Sequence, residues 1–370
     1  MKKEFSSILD FTTLPESESD VKVSYSQFTM WANCPKKWKL TYMDGHKEDE
    51  PSIHLLFGTS MHETIQEWLK TLFTKSPLES DEMDLSALLR DTMAREYKSL
   101  LEKRGDLKEW ITKSQMNEFY LDGVEILNEL KKNRVEFFST RKWKLFGIET
   151  KIYQPILEGY ENLKIVGYLD LVFEDINTGD ILILDIKTST NGWNNYQKAD
   201  DTKTAQLILY KHYFSKQFEI DQKKIDVKYL ILKRKLNEAI MYGVSRLQNF
   251  SPTNGSRTLK KTVDVFENFV KEVFNTDGSF KRDGEFPATA GYNSKQCKFC
   301  PFKDRNDLCS KKERIKTDFL LDVYEKKHGT KTKIPIFVMQ HAPKPRVNGR
   351  RCTTIRNKNW HTVTPPRSIA

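Results

Sequence analysis

The sequence predicts an α/β protein in which a mixed central sheet is flanked by helices. Apolar residues recur at helical spacing through most of residues 1–140. The spacing then changes to the alternation that is typical of strands, at 143–157 and 163–174, and a short apolar run follows at 181–187. Helical spacing returns at 202–218. Strands placed between helical segments indicate a layered α/β fold.

The N-terminal part of the chain is predicted to be mostly helical. Residues 59–74 place five apolar side chains on one stripe of a helix, namely Met61, Ile65, Trp68, Leu69 and Leu72. An earlier helical segment is expected at 24–43, where Ser24 is a candidate N-cap and Pro35 divides the segment into two short helices.

Five segments are expected along the chain. They are a flexible arm (1–22), a mostly helical region with the first cysteine (23–140), a core of strands and helix (141–250), a helix with a group of cysteines (251–322) and a basic, disordered tail (323–370). Within and after the core we expect strands at 226–234 and 239–247 and a helix at 257–275.

The basic excess of the chain lies in its C-terminal tail. The formal net charge is +10, yet residues 326–370 hold 11 Lys and Arg and no acid, so the other 325 residues are almost neutral. Such a tail suits electrostatic attraction to nucleic-acid phosphates. A solubilising disordered tail has the same composition, and both interpretations stay open.

The sequence contains nothing that resembles a membrane span or a secretory signal. No run of about 18 apolar residues occurs, and the N-terminus lacks the apolar stretch of a signal peptide. We therefore expect a cytoplasmic protein, or one of the host cytoplasm if the chain comes from a phage. Disulfides are rare in such a reducing compartment.

Charged residues in two apolar strands give the strongest functional signal. In ILILDIK, Asp185 and Lys187 share one face because strand side chains alternate. Asp170 interrupts the preceding apolar run GYLDLVF. An antiparallel hairpin centred on Asn177 and Thr178 would place Asp170 opposite Asp185. Two carboxylates that close together repel unless a cation lies between them, so the pair predicts a Mg²⁺ or Mn²⁺ site.

The cysteines give a second signal. Cys297, Cys300 and Cys309 are spaced C-x₂-C-x₈-C, whereas Cys34 lies far upstream and Cys352 lies in the basic tail. In a reducing compartment this spacing favours a metal site over a disulfide. Three clustered thiolates need a fourth ligand, for which Cys34 is the natural candidate. Buried cysteines without a metal are the alternative.

Three stretches resemble, in order, the motifs of RecB-like PD-(D/E)XK nucleases: GYLDLVF, LILDIKTST and QLILY, with GTSMHE at 58–63 upstream. The resemblance covers about residues 24–312 and implies a restriction-endonuclease-like nuclease core. It implies a Mg²⁺ or Mn²⁺ ion held by four groups, which are His62, Asp170, Asp185 and the backbone carbonyl of Ile186. Lys187 would position the attacking water or stabilise charge on the phosphate.

The same resemblance extends to four further polar residues. Gln206 and Tyr210 match the Q-x-x-x-Y helix motif of the family, and their spacing puts both on one helix face. Glu149 stands where some members carry an additional acid. Glu63 is adjacent to His62 and is expected to support it.

The cysteine pattern resembles that of the iron–sulfur subgroup of these nucleases, which includes CRISPR-adaptation nucleases and helicase–nuclease subunits. The resemblance implies a [4Fe–4S] cluster that clips the C-terminal segment to the N-terminal region, on Cys34, Cys297, Cys300 and Cys309. The eight residues between Cys300 and Cys309 are more than this pattern leads us to expect. Zinc is the alternative metal.

The function expected from these features is metal-dependent DNA cleavage, by an exonuclease that favours single-stranded ends in recombination, repair or replication. Replication or recombination proteins are the expected partners. Lysines near the cysteines are interleaved with aromatic residues, which suits binding of a single DNA strand. The aromatic residues are Trp38, Tyr42, Phe299 and Phe302.

Two alternative functions stay open. A non-catalytic DNA-binding or assembly factor with the same fold is one, and a phosphodiesterase that acts on RNA or nucleotides is the other, which differs only in substrate.

Overall fold

The computed structural model describes residues 16–46, 51–236, 245–289, 294–311 and 314 of the chain. The chain divides into two units. The first unit is drawn from Met1–Phe28 and Glu48–Arg282, and the second from Thr29–Lys47 and Asp283–Ala370.

A mixed sheet lies at the centre of the first unit. The described residues contain six strands: β1 (Val21–Ser24), β2 (Trp143–Pro155), β3 (Leu163–Asp175), β4 (Ile181–Ser189), β5 (Ile225–Lys233) and β6 (Leu247–Phe250). The sheet order is β1-β3-β4-β5-β6, and β2 pairs with β3 off this path. The β1–β3 and β4–β5 pairs are parallel, while the other pairs are antiparallel. The predicted mixed α/β sheet is confirmed.

Helices precede, separate and follow the strands. They are α1 (Tyr25–Asn33), α2 (Pro35–Trp38), α3 (Ile53–Thr74), α4 (Pro77–Glu82), α5 (Leu85–Lys103), α6 (Leu107–Trp110), α7 (Lys113–Lys132), α8 (Arg134–Phe138), α9 (Asn195–Lys198), α10 (Asp201–Phe218), α11 (Ser256–Val273) and α12 (Lys295–Lys298). A π-helical turn at Lys39–Met43 continues α2, and a 3₁₀ turn at Gln222–Lys224 precedes β5. None of the described helices combines the length and the apolar composition that a membrane crossing requires.

The helix predicted at 59–74 begins earlier, at Ile53. Ser52 caps it, because the Ser52 side chain accepts a hydrogen bond from the backbone N–H of His54 at 3.2 Å. The predicted apolar stripe is buried, with at most 1% exposure at each of its five residues. It packs in one core with Leu89 of α5, Ile126 of α7 and Leu184 of β4. Helix α3 is thereby held against the sheet and against the helices of the N-terminal region.

One expectation near the N-terminus needs correction, and one about a later strand lies mainly outside the described residues. The predicted arm at 1–22 is wrong at its end, because Val21 and Lys22 belong to β1, which pairs with the first residues of β3. Val23 of this strand is fully buried. A strand of four residues such as β1 is too short for its alternation of apolar and polar residues to be recognised beside the acidic segment before it. The strand expected at 239–247 lies mainly outside the described residues, and β6 begins at its last position.

We predict that Trp68→Ala lowers the free energy of unfolding by about 3–5 kcal/mol, the usual cost of truncating a buried tryptophan. Trp68 is fully buried, donates from Nε1 to the Ser80 carbonyl at 3.2 Å and packs edge-on against Phe138. Urea denaturation measures the change. The matched control is Trp110→Ala, at a tryptophan that is 39% exposed, where we expect about 1 kcal/mol or less. Equal losses in the two variants would contradict the described core.

Candidate active site

The hairpin formed by β3 and β4 brings two aspartates to the same level of the sheet. Its ladder ends at the pair Leu171–Leu184, and the next position in that register joins Asp170 and Asp185. The turn is closed by Gly179, whose φ of 70° lies in the left-handed region that glycine adopts without strain. The predicted register is therefore confirmed up to Leu171, and the two carboxylates face the same side.

Strand β2 adds a third carboxylate to this row. Thr150 pairs with Leu169, so Glu149 occupies the position across from Asp170. Glu149 has a φ of 49°, which is uncommon for a residue other than glycine. Its Oε1 accepts a hydrogen bond from Nε2 of Gln66 at 2.5 Å. The row Glu149–Asp170–Asp185 thus crosses three neighbouring strands.

Helix α3 places His62 above this row. The His62 Nδ1 atom lies 3.4 Å from Oδ2 of Asp170, and the same oxygen accepts a hydrogen bond from the backbone N–H of Ile186 at 2.7 Å. Burial lowers the pKa of His62 to about 4, although the charge of Asp185 opposes this shift. The imidazole is therefore neutral near pH 7, which is the form that binds metals.

The two aspartates are costly to bury. Burial raises the pKa of Asp170 well above its ordinary value, and the charge of Asp185 raises it further. Asp185 is only 2% exposed, and its Oδ1 has no hydrogen-bond partner among the described residues. Its Oδ2 lies 2.8 Å from Nζ of Lys187. A carboxylate with an unbonded buried oxygen beside a second carboxylate has the features of a cation ligand.

Lys187 of β4 places a positive charge beside the two aspartates. Burial alone lowers the pKa of Lys187, but the charges of Asp185 and Asp170 outweigh this effect and raise the pKa above its ordinary value. The ammonium group therefore keeps its proton at neutral pH. A charged lysine can donate hydrogen bonds and stabilise negative charge, whereas a neutral one would be needed for proton abstraction.

Helix α10 supplies Gln206 and Tyr210. The two side chains lie on one helix face, and Nε2 of Gln206 is 3.4 Å from the Tyr210 hydroxyl. The Tyr210 ring lies directly against Gly167 of β3, where a Cβ atom would come within 2.6 Å of the ring. Burial raises the pKa of Tyr210 to about 12. The lack of a side chain at Gly167 thus fixes how closely α10 approaches the sheet.

These groups surround an open cleft of about 640 Å³. Its walls include His62, Glu149, Asp170, Gln206 and Tyr210, while Asp185 and Lys187 are not among the lining residues. Glu63 also lines the cleft, but its carboxylate forms an ion pair with Arg95 of α5. Sequence reasoning missed Gln66, although it follows His62 by four residues on α3 and so shares its helix face.

The residues around Asp170 fit a divalent cation in their chemistry. Within the described ranges, no group of three or more His, Cys, Asp or Glu side chains is arranged so that it could hold a metal ion as it stands. The unbonded oxygen of Asp185, the neutral imidazole of His62 and the carboxyl group of Asp170, whose pKa is raised, nevertheless form a set of donors that suits a metal ion. Oxygen ligands of this kind suit Mg²⁺ or Mn²⁺.

The predicted sulfur ligands all fall in the second unit. Cys34, Cys297 and Cys309 are buried, and Cys300 is partly exposed. Cys309 belongs to a small apolar cluster that also contains Phe302. Cys352 lies outside the described residues.

A buried arginine lies beside one of these sulfurs. Arg314 is 2% exposed, and its Nη1 donates to Sγ of Cys297 at 3.6 Å. Its Nη2 donates to Oδ1 of Asn306 at 3.4 Å. The guanidinium group and the Cys297 sulfur are therefore in direct contact in the interior of the second unit.

The expected stacking of DNA bases on aromatic residues near the cysteines is wrong for two of them. Trp38 is fully buried and Phe302 is 1% exposed. The Trp38 ring stacks on Tyr42 and on Phe286 at centroid distances of 5.9 and 5.8 Å. Lysines alternating with aromatic residues also describe a short amphipathic helix, whose apolar side faces inward. Phe299 differs, since it is 77% exposed.

Comparisons with known proteins identify a family. The model of the PD-(D/E)XK nuclease superfamily matches residues 22–305, a range that ends before Cys309. A crystal structure of a candidate exonuclease from Eubacterium rectale has 12% identity and a TM-score of 0.37, over 67% of this chain and 78% of that one. The structure of the protein SSO0001 has 15% identity and a TM-score of 0.27, over 73% and 92%. No curated protein matches the chain.

We predict that Mn²⁺ raises the melting temperature of the metal-free protein and that a chelator reverses the rise. An ion held by the Asp170 and Asp185 carboxylates binds only the folded chain, which adds about 2.7 kcal/mol at one hundred times Kd. Asp185→Ala should abolish the rise in a thermal scan. The control, Asp201→Ala, removes a carboxylate that is 70% exposed and should keep it. Equal rises in both variants would place the ion elsewhere.

Proposed function

The chain belongs to the PD-(D/E)XK nuclease superfamily, and we propose that it is a divalent-metal-dependent deoxyribonuclease of the RecB-like kind. Because one fold can serve many functions, the proposal rests on the site and not on the fold. Its main support is the buried pair Asp170 and Asp185, with an unbonded oxygen on one carboxylate and the charged Lys187 at 2.8 Å from the other oxygen. These charges can hold a divalent cation and stabilise negative charge on a phosphate.

The metal would be held by Asp170, Asp185, His62 and the backbone carbonyl of Ile186. A bound Mg²⁺ or Mn²⁺ ion would lower the pKa of a water molecule and offset the negative charge of the phosphate. The Ile186 N–H fixes the orientation of the Asp170 carboxylate through its 2.7 Å hydrogen bond. Glu149 lies at the edge of this set, where Gln66 orients it.

The other residues act on the substrate through charge and position. Protonated Lys187 would donate to an oxygen of the scissile phosphate or to the attacking water, and would stabilise charge that develops in the transition state. Gln206 and Tyr210 form one wall of the cleft and would hold the DNA strand in place. Glu63, which is engaged with Arg95, would keep the helix that carries His62 in position.

We propose single-stranded DNA ends as the substrate and an exonuclease as the enzyme, serving recombination, repair or replication with proteins of those processes. The open cleft of about 640 Å³ beside Asp170 is large enough to take a few nucleotides of one strand, which is what this substrate requires.

For the second unit we propose a structural [4Fe–4S] cluster on Cys34, Cys297, Cys300 and Cys309, with zinc as the alternative. Burial of three of these cysteines supports a structural role. Arg314 would offset part of the negative charge that ligated thiolates bring into the interior. A metal bound by cysteines so far apart in sequence restrains the unfolded chain and so stabilises the folded unit.

We predict that the wild type degrades end-labelled single-stranded DNA with Mg²⁺ or Mn²⁺ and that Asp185→Ala loses at least about a hundredfold in rate, the usual cost of removing one preorganised charged group. Lys187→Ala should lose a similar factor, whereas Lys187→Arg keeps the charge and should retain more. The control is again Asp201→Ala, which should cleave like the wild type. The product ladder separates exonuclease from endonuclease action.

Two results would contradict this function. Equal cleavage by the wild type and Asp185→Ala would point to a contaminating nuclease. DNA binding without cleavage, in every metal and by every variant, would leave a DNA-binding or assembly factor in its place. Cleavage of RNA in preference to DNA would change the substrate alone.

We predict that protein purified without oxygen contains iron and acid-labile sulfide in equal amounts and absorbs visible light. Cys297→Ser should lose both, because it removes one of the four proposed ligands. Cys352→Ser is the control, since Cys352 is not among the proposed ligands. Zinc without iron would support the alternative metal, and neither metal in the anaerobic wild type would contradict a metal site.

A further inference from the structure

One tyrosine of the cleft differs from its surroundings in β3. Tyr168 is 49% exposed, although Gly167 and Leu169 on either side of it are buried. It lines the same cleft as Asp170. Its side chain makes no hydrogen bond or ring contact with the rest of the described chain. A large aromatic ring that is left in water inside a cleft is available for a ligand.

Four tyrosines of the sheet and its flanking helices have structural partners. Their hydroxyl groups donate hydrogen bonds, from Tyr25 to Thr202, from Tyr153 to Asp20, from Tyr213 to Ile156 and from Tyr229 to Lys203. Tyr168 has no such partner among the described residues, and it is not part of the hydrophobic core cluster around α3. Its aromatic ring therefore needs another explanation than stability.

The position of Tyr168 relative to the carboxylates is fixed by the strand. Tyr168 precedes Asp170 by two residues, so the two side chains share a face about 6.6 Å apart, at about 3.3 Å of rise per residue. The β2–β3 register places Lys151 directly opposite Tyr168 on that face. The Lys151 ammonium forms an ion pair with Glu16 and lies 5.1 Å from the centre of the Tyr153 ring. A carboxylate, an aromatic ring and a cation thus neighbour one another.

We propose that Tyr168 is the base-stacking residue of this site, and that its ring receives the nucleobase next to the phosphate that a metal at Asp170 would hold. Aromatic side chains bind single strands in this way because every base has a flat face. The proposal takes its substrate class from the proposed function, but it concerns binding and not cleavage.

A surface tyrosine with no function is the competing explanation, and the chain contains a suitable example. Tyr196 of α9 is 88% exposed and does not line the cleft. Single exposed aromatic residues of that kind are ordinary features of protein surfaces. Tyr196→Ala is therefore the matched control, since it removes the same ring from a position outside the cleft.

The test measures binding of a single-stranded oligonucleotide that contains 2-aminopurine, in the presence of a chelator so that no cleavage occurs. Stacking quenches the fluorescence of this base. We expect Tyr168→Ala to raise Kd about tenfold, which corresponds to about 1.4 kcal/mol and lies within the usual range for one base stack. The quenching should be lost as well. Tyr168→Phe should bind like the wild type, and Tyr196→Ala should change neither quantity.

An oligonucleotide with an abasic site at the stacked position provides the decisive comparison. The wild type should bind it about tenfold more weakly than the intact strand, and Tyr168→Ala should weaken that binding no further. An equal loss on both strands would mean that the ring contacts the backbone, which would overturn the proposal. The same holds if Tyr196→Ala matches Tyr168→Ala, or if Tyr168→Phe fails to restore binding.

The outcomes separate this inference from the proposed function. Quenching that depends on Tyr168, without cleavage under any metal, would refute the nuclease and leave the stacking role intact. Metal-dependent cleavage with no effect of Tyr168 on binding would refute only the stacking role. If Tyr168→Ala fails to fold, Tyr168→Leu fills a similar space without an aromatic face and gives the same comparison.

Discussion

The repulsion between two buried carboxylates is the constraint on which the rest of the active site depends. Asp170 and Asp185 meet at the end of the β3–β4 ladder, where burial and mutual charge make ionisation of both unfavourable. Two features offset this cost. The Ile186 N–H donates to one carboxylate, and Lys187 neutralises part of the charge. His62 is uncharged because it is buried, so it leaves part of the repulsion without compensation. A divalent cation would complete the balance, so the folded chain is electrostatically prepared for one.

The surrounding scaffold holds these groups in place through apolar packing. The residues of α3 that face the sheet and neighbouring helices are fully buried, and this fixes the helix that carries His62. On the other side, the Tyr210 ring rests on Gly167, so α10 approaches the sheet as closely as backbone and ring permit. Polar groups of the cleft are thus set by helices whose positions the core determines. Their arrangement depends little on loops.

The periodicity of the sequence predicted the features that depend only on residues close together in the chain. The Asp170–Asp185 register followed from the residue count on either side of the turn, and the helix face of Gln206 and Tyr210 followed from their spacing. Three features depend on tertiary contacts instead. β1 is stabilised by pairing with β3, Trp38 is buried by Phe286, and Tyr168 is exposed because none of the described elements covers it. Alternation shows which way a side chain points, but not what covers it.

The contact made by Arg314 lies beyond the range of the family match. The match stops at residue 305, yet Cys309 and the guanidinium that donates to Cys297 lie after that point. The described structure therefore has packed residues that the family model does not include. A gene shortened to the matched residues 22–305 would encode a chain that lacks Cys309, one of the four proposed ligands. It would also lack Arg314, which donates to the sulfur of Cys297. Recombinant versions of this protein should accordingly extend past Arg314.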